Sequence, residues 1–162
     1  MALKNAYSDI SIEKLFAELQ KTLAQHGAKQ ISYDYGDDGR VHAAQFVIKT
    51  QNNRFIPVRL PARVEKAQAV LQRQWEAGII SHKVGKEKAY GDEQAYRVAW
   101  RNILEWVQAQ MALLEIEMVQ LEEIFLPYMI TRTGETFFEA AQKKNYQLLE
   151  SGSPQEGEII QP

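Results

Sequence analysis

Nine apolar or aromatic residues (Tyr96, Trp100, Ile103, Val107, Met111, Leu114, Met118, Leu121 and Phe125) recur in eight steps across 29 residues. The mean step of about 3.6 is the period of a straight α-helix, whereas a sustained left-handed coiled coil repeats at 3.5. The stripe therefore predicts a long helix over residues 92–126 that serves as the spine of a globular core. Trp106, Leu113, Ile116 and Ile124 widen its apolar arc, so burial on more than one side is expected. Asp92 is the candidate N-cap, and Pro127 is expected to end the helix because the residue before a proline is pushed out of the α region.

The rest of the chain must fold around that spine. Ile12, Leu15, Phe16, Leu19 and Leu23 share a helical face over residues 11–26, with Ser11 as N-cap and Gly27 in the left-handed position that closes a helix. Ile31, Tyr33 and Tyr35 alternate with Ser32 and Asp34 as in a half-buried strand. Residues 41–50 read as a second strand, with His42, Ala44, Phe46 and Ile48 on one side. Residues 54–60 read as a third, and Pro57, which has no N–H to donate, places it at an edge. Pro61 suits the first turn of a helix carrying Val64, Ala67, Leu71 and Trp75 and ending at Gly78. Residues 79–91 read as a basic loop. A last helix is expected over residues 135–149, with Thr136 and Glu139 as a capping box. The fold class is α+β: an N-terminal helix, a three-stranded antiparallel meander, then three helices with one long central helix. Residues 1–150 form one domain, and residues 151–162 read as a flexible polar tail.

Charge is sorted along this framework. Residues 40–88 carry ten Lys/Arg against three Glu, a local net of +7, while residues 102–131 carry five Glu and no Lys or Arg. The formal total of −2 hides this separation. Segregated charge sets long-range fields and bears on partners more than on fold. Without cysteine there is no disulfide, thiolate metal site or thiol nucleophile, which fits a reducing compartment. No apolar run approaches the roughly 18 residues of a membrane span, and the N-terminus does not read as a signal peptide.

Catalytic templates fail. GxSxG, HExxH, Walker and GxGxxG patterns are absent. His26, His42 and His82 are scattered. Asp34, Asp38 and Gly39 match three positions of an EF-hand, but Gly36 and Gln45 stand where ligands belong, so the segment reads as an acidic hairpin turn. A metal-dependent nuclease would need a second acid two residues before Lys49, where Val47 stands. Glu115 and Glu122 lie seven apart on the long helix without a histidine to complete a metal site. The basic segment is the stronger candidate: Arg54, Arg59, Arg63, Lys83, Lys86 and Lys88, with Phe55, His82 and Tyr90 among them, pair phosphate-neutralising charge with stacking surface. An acidic face with Glu115, Glu122 and Glu123 is the competing, protein-binding surface.

The stretch from Phe55 to Glu65 (FIPVRLPARVE), with Tyr96 to Gln110 (YRVAWRNILEWVQAQ) and Phe125 to Met129 (FLPYM), resembles small uncharacterised proteins of bacteriophages, prophages and integrated mobile elements. The resemblance covers roughly residues 30–140 and brings no assigned activity. It implies the cytoplasm of a bacterial host cell. Together, these readings lead to the expectation of a non-enzymatic accessory protein that binds nucleic acid or a nucleoprotein through the basic strand–helix–loop surface. The alternative is an anti-CRISPR-like inhibitor that meets a host defence protein through its acidic helix face. A third reading is a homodimer whose basic and acidic parts neutralise each other. No cofactor, metal or membrane partner is expected.

Overall fold

A computed structural model describes residues 1–149. The elements run α1 (Ile12–Gln25), β1 (Lys29–Tyr35), β2 (Val41–Lys49), β3 (Phe55–Pro61), α2 (Val64–Glu76), α3 (Lys86–Tyr90), α4 (Asp92–Glu115), α5 (Leu121–Phe125), a 3-10 turn (Leu126–Tyr128) and α6 (Phe137–Lys143). The three strands form one antiparallel sheet in the order β1-β2-β3, so the architecture is the expected α+β arrangement. The tail read at residues 151–162 lies outside the described residues.

The main core lies between one face of the sheet and helices α1 and α4. Leu15, Leu19 and Leu23 of α1, Ala44, Phe46 and Ile48 of β2, Val58 and Leu60 of β3, and Trp100, Leu104, Val107 and Met111 of α4 are buried together. Phe16 stacks edge-on against Trp100 with ring centres 5.0 Å apart. A second cluster on another side of α4 contains Leu71, Ile80, Ala89, Ala95, Val98 and Ala6. The central helix is thus buried on two sides, but the second side is made by Ala95 and Val98 and not by the residues expected to widen its arc: Trp106 and Ile124 join the main core, and Ile116 is 63 % exposed. An N-terminal strap crosses it: Asn5 Nδ2 donates to Glu105 Oε2 at 2.9 Å, and the buried Gln94 donates to the carbonyls of Ala6 and Ser8.

Several expectations are corrected, among them the N-cap of α4, which is Gly91 and not Asp92. The long helix stops at Glu115 and does not run to residue 126. Glu117 takes a left-handed φ of 59°, its N–H bonds Leu114 O, and the Met118 N–H bonds Leu113 O. This Schellman closure turns the chain before α5 restarts on a Gln120–Glu123 capping box. Met118, placed on the apolar stripe, is consequently 66 % exposed. Pro61 ends β3 and does not open a helix, because the Ala62 N–H still bonds His42 O and extends the ladder. The loop expected at residues 79–91 contains α3, which leads into α4 through a bend at Gly91. A Cβ there would stand 2.4 Å from Glu87 O, so the bend requires glycine. Finally, the last helix covers only Phe137–Lys143, although its Thr136–Glu139 capping box forms as read.

Two bulges shape the sheet. Asp34 faces Ala43 and Tyr35 faces Val41, which leaves His42 without a partner. The extra residue reverses the alternation, so Val41 is buried and His42, expected beside Ala44, is exposed. At the other end Gln30, with φ 52°, is bulged out so that Lys29 pairs with Val47. β3 is an edge strand, as Pro57 implied, and β1 is the other. Part of its outer edge is covered where Ile130 N–H donates to Pro57 O at 2.9 Å.

Candidate nucleic-acid interface

Strand alternation sends Ile56, Val58 and Leu60 into the core and Phe55, Pro57 and Arg59 outward. The register then builds rows across the outer face. Lys49 lies opposite Phe55, Lys29 and Pro57 flank Val47, and Ser32 and Arg59 flank Gln45. Lys29, Gln30, Val47, Phe55 and Pro57 line a shallow depression of about 560 Å³. Phe55 is 65 % exposed, and the Lys49 ammonium lies 6.0 Å from its ring centre. Arg54 is exposed in the turn beside it. The result is an apolar centre with an aromatic ring, bordered by cations.

Arg59 is held in a particular way. Its Nε donates to Asp34 Oδ2 at 3.2 Å. Asp34 also accepts from Gln45 Nε2 at 2.9 and 2.8 Å. Among the described residues, the terminal guanidinium nitrogens of Arg59 have no hydrogen-bond partner. Asp34, tested above as a calcium ligand, thus serves to orient an arginine. Asp38 accepts from Arg40 N–H and pairs with His42 at 2.9 Å, contacts that hold its carboxyl below the usual range. No group of three His, Cys, Asp or Glu suited to a metal occurs among the described residues. No helix among them is long and apolar enough to cross a membrane.

The six cations singled out in the sequence do not form one surface. Arg54 and Arg59 belong to the sheet. Arg63 stands at the start of α2, beside Lys66, on a groove of about 550 Å³ walled by Leu3, Val70, Ile103, Tyr128 and Phe138. Lys83, Lys86 and Lys88 gather around α3, which packs near the far end of α2, about 18 Å from Arg63 along the helix. There Lys86 caps the face of Trp75 at 5.6 Å, and Trp75 itself donates to Val84 O. Two members of the sheet patch, Lys29 and Lys49, escaped the reading. The signal for Lys49 was its odd-numbered position with Gln45 and Val47 on the non-core side of β2. Lys29 lies beyond the apparent start of its strand and joins only through the bulge at Gln30.

The acidic set is engaged within the chain. Glu115 meets His26 Nε2 at 2.7 Å, Glu122 accepts from the Gln51 backbone at 2.7 Å, and Glu123 accepts from the Gln120 backbone. Glu105 is bound by Asn5, and also by Lys4 and Arg101, which hold its pKa down to about 2. Because α4 stops at Glu115, the three glutamates named for a partner do not share one helix. No ion pair among the described residues joins residues 40–88 to residues 102–131. Only Arg40 and Arg59 of the ten cations in the basic segment have an ion-pair partner there. No known protein family, curated protein or solved structure matches the chain.

Proposed function

We propose that the protein is a non-enzymatic nucleic-acid-binding accessory, of the phage or mobile-element kind its sequence resembles, acting in a bacterial cytoplasm. Its contact surface is the outer sheet face and the adjoining turn: Lys29, Lys49, Arg54, Phe55 and Arg59. The observation that carries this reading is the face itself, uncovered by any of the described residues, with cations around an exposed ring and, among the described residues, no ion pair to the acidic part of the chain. Such cations neutralise phosphates and release counterions, so affinity is salt-dependent. Arg63 and the three lysines around α3 contribute field but not this surface. The inhibitor reading has less support, because Glu115, Glu122 and Glu123 already make contacts within the fold.

The test is retention on short DNA and RNA, single- and double-stranded, at about 50 mM salt. Binding that weakens steeply with added salt is expected. Lys49→Glu combined with Arg54→Glu is expected to reduce affinity at least tenfold. On single strands it should also flatten the salt slope by about 0.7 for each phosphate that is no longer neutralised. Both positions are exposed, so the unfolding midpoint should barely move. Absence of retention on all four nucleic acids at low salt overturns the proposal.

A further inference from the structure

We infer that the ligand of the sheet face is a single strand, with one base stacked on Phe55 and a neighbouring phosphate gripped by Arg59. This inference rests on the nucleic-acid reading above and specifies its substrate class. Three observations carry it.

First, the centre of the face is apolar. Val47, Phe55 and Pro57 form the floor of the depression between the cations. A duplex keeps its base faces inside the stack and offers a flat surface only its phosphates and sugars. Reading a duplex calls for an element that enters a groove, such as a helix or a two-stranded ribbon. The outer face presents no such element. Unstacked bases, in contrast, have exposed π-faces that match an aromatic platform without regard to sequence.

Second, the Lys49 ammonium lies over one face of the Phe55 ring, 6.0 Å from its centre. A base that takes the ammonium's place on the ring brings its own phosphate within reach of the flexible lysine, so stacking and neutralisation are served by one cross-strand pair.

Third, Asp34 takes only the Nε–H of Arg59, and the two terminal nitrogens stay without a partner among the described residues. A guanidinium fixed at its stem with its outer N–H groups free is arranged for two-pronged contact with a phosphate. Arg59 lies four residues along β3 from Phe55, about 13 Å at strand rise. The strand therefore offers one stacking site and one phosphate site along a single extended line. Asp34 is a positioning residue in this scheme and would not touch the ligand.

The experiment measures fluorescence anisotropy with labelled oligodeoxyuridylate, oligouridylate, an abasic strand of equal length, and a duplex, all at one low salt concentration. Either unmodified single strand is expected to bind at least tenfold tighter than the duplex, and the stronger of the two identifies the preferred sugar. Phe55→Ala is expected to lose about 5- to 150-fold on the unmodified strands and little on the abasic strand. Phe55→Leu, which keeps an apolar side chain but removes the ring, should lose nearly as much. Asp34→Asn should weaken unmodified and abasic strands alike, because it loosens a phosphate contact. Equal affinity for duplex and single strand, or equal Phe55→Ala losses with and without bases, overturns the stacking inference while leaving nucleic-acid binding in place. No binding to any of the four overturns both.

Discussion

His26 sits between two acceptors. Its Nδ1 lies 2.6 Å from Thr22 O and its Nε2 lies 2.7 Å from Glu115 Oε1. Both contacts are satisfied at once only when both ring nitrogens carry protons. The Glu115 hydrogen bond, and after it the Thr22 carbonyl, raise the His26 pKa above its ordinary 6.5, against a smaller opposing effect of burial. A raised folded pKa gives stability that is fully present below the ordinary value and lost as pH rises through the folded one. The unfolding free energy should therefore decline as pH rises above about 6.5 and through the raised folded pKa. In Glu115→Ala the decline should shrink, and the His26 pKa followed by NMR should fall toward its ordinary value. An unchanged His26 titration in that variant would contradict the pairing. In the sequence His26 was one of three scattered histidines, and nothing local announced a partner 89 residues away.

At the scale of elements, the break after α4 shows what periodicity can and cannot report. Leu121 and Phe125 return to the register of the stripe after the turn, so the pattern of apolar residues runs through a point where the backbone does not. The ends of α1 and α2 were legible because Gly27 and Gly78 occupy the left-handed closing position. The equivalent residue after α4 is a glutamate, whose Cβ makes that conformation costly. Glu117→Gly should accordingly stabilise the protein, by about 0.5–1 kcal/mol, in urea unfolding. A loss of stability would mean that the Glu117 side chain contributes something that its exposed position does not reveal. The candidate site divides in the same way. Phe55 and Arg59 were visible on an alternating strand. Their union with Lys29 and Lys49 depends on cross-strand register, which is set by bulges at Gln30 and His42 that no residue type there demands.

For the molecule as a whole, the separated charge is maintained in three dimensions. Acidic residues of the central helix are used by the N-terminal strap and by the end of α1, and most of the basic segment faces solvent without a counter-ion among the described residues. The strap is the most economical example. Glu105 accepts from Asn5, which lowers its pKa more than any other contact, and also from Lys4 and Arg101. A depressed carboxylate contributes stability above its ordinary range, and this is lost as pH falls through about 2. Glu105→Gln should cost about 1–2 kcal/mol near neutrality and should remove part of the acid dependence in pH-resolved urea unfolding. If the variant kept the wild-type acid profile, the strap would be held by other contacts. The separation of 100 residues between Asn5 and Glu105 also has a consequence in time. Helix α1 and the sheet emerge from the ribosome first, but their shared apolar face closes only on Trp100, Leu104, Val107 and Met111. At about 5–20 residues per second, the roughly 50 residues from Pro61 to Met111 take about 3–10 s to synthesise. During those seconds Phe46, Ile48 and Val58 wait uncovered, and the edge of β3 waits longer still for Ile130. That interval of translation, not the finished fold, is where this chain is most exposed to self-association and where a chaperone would gain its hold.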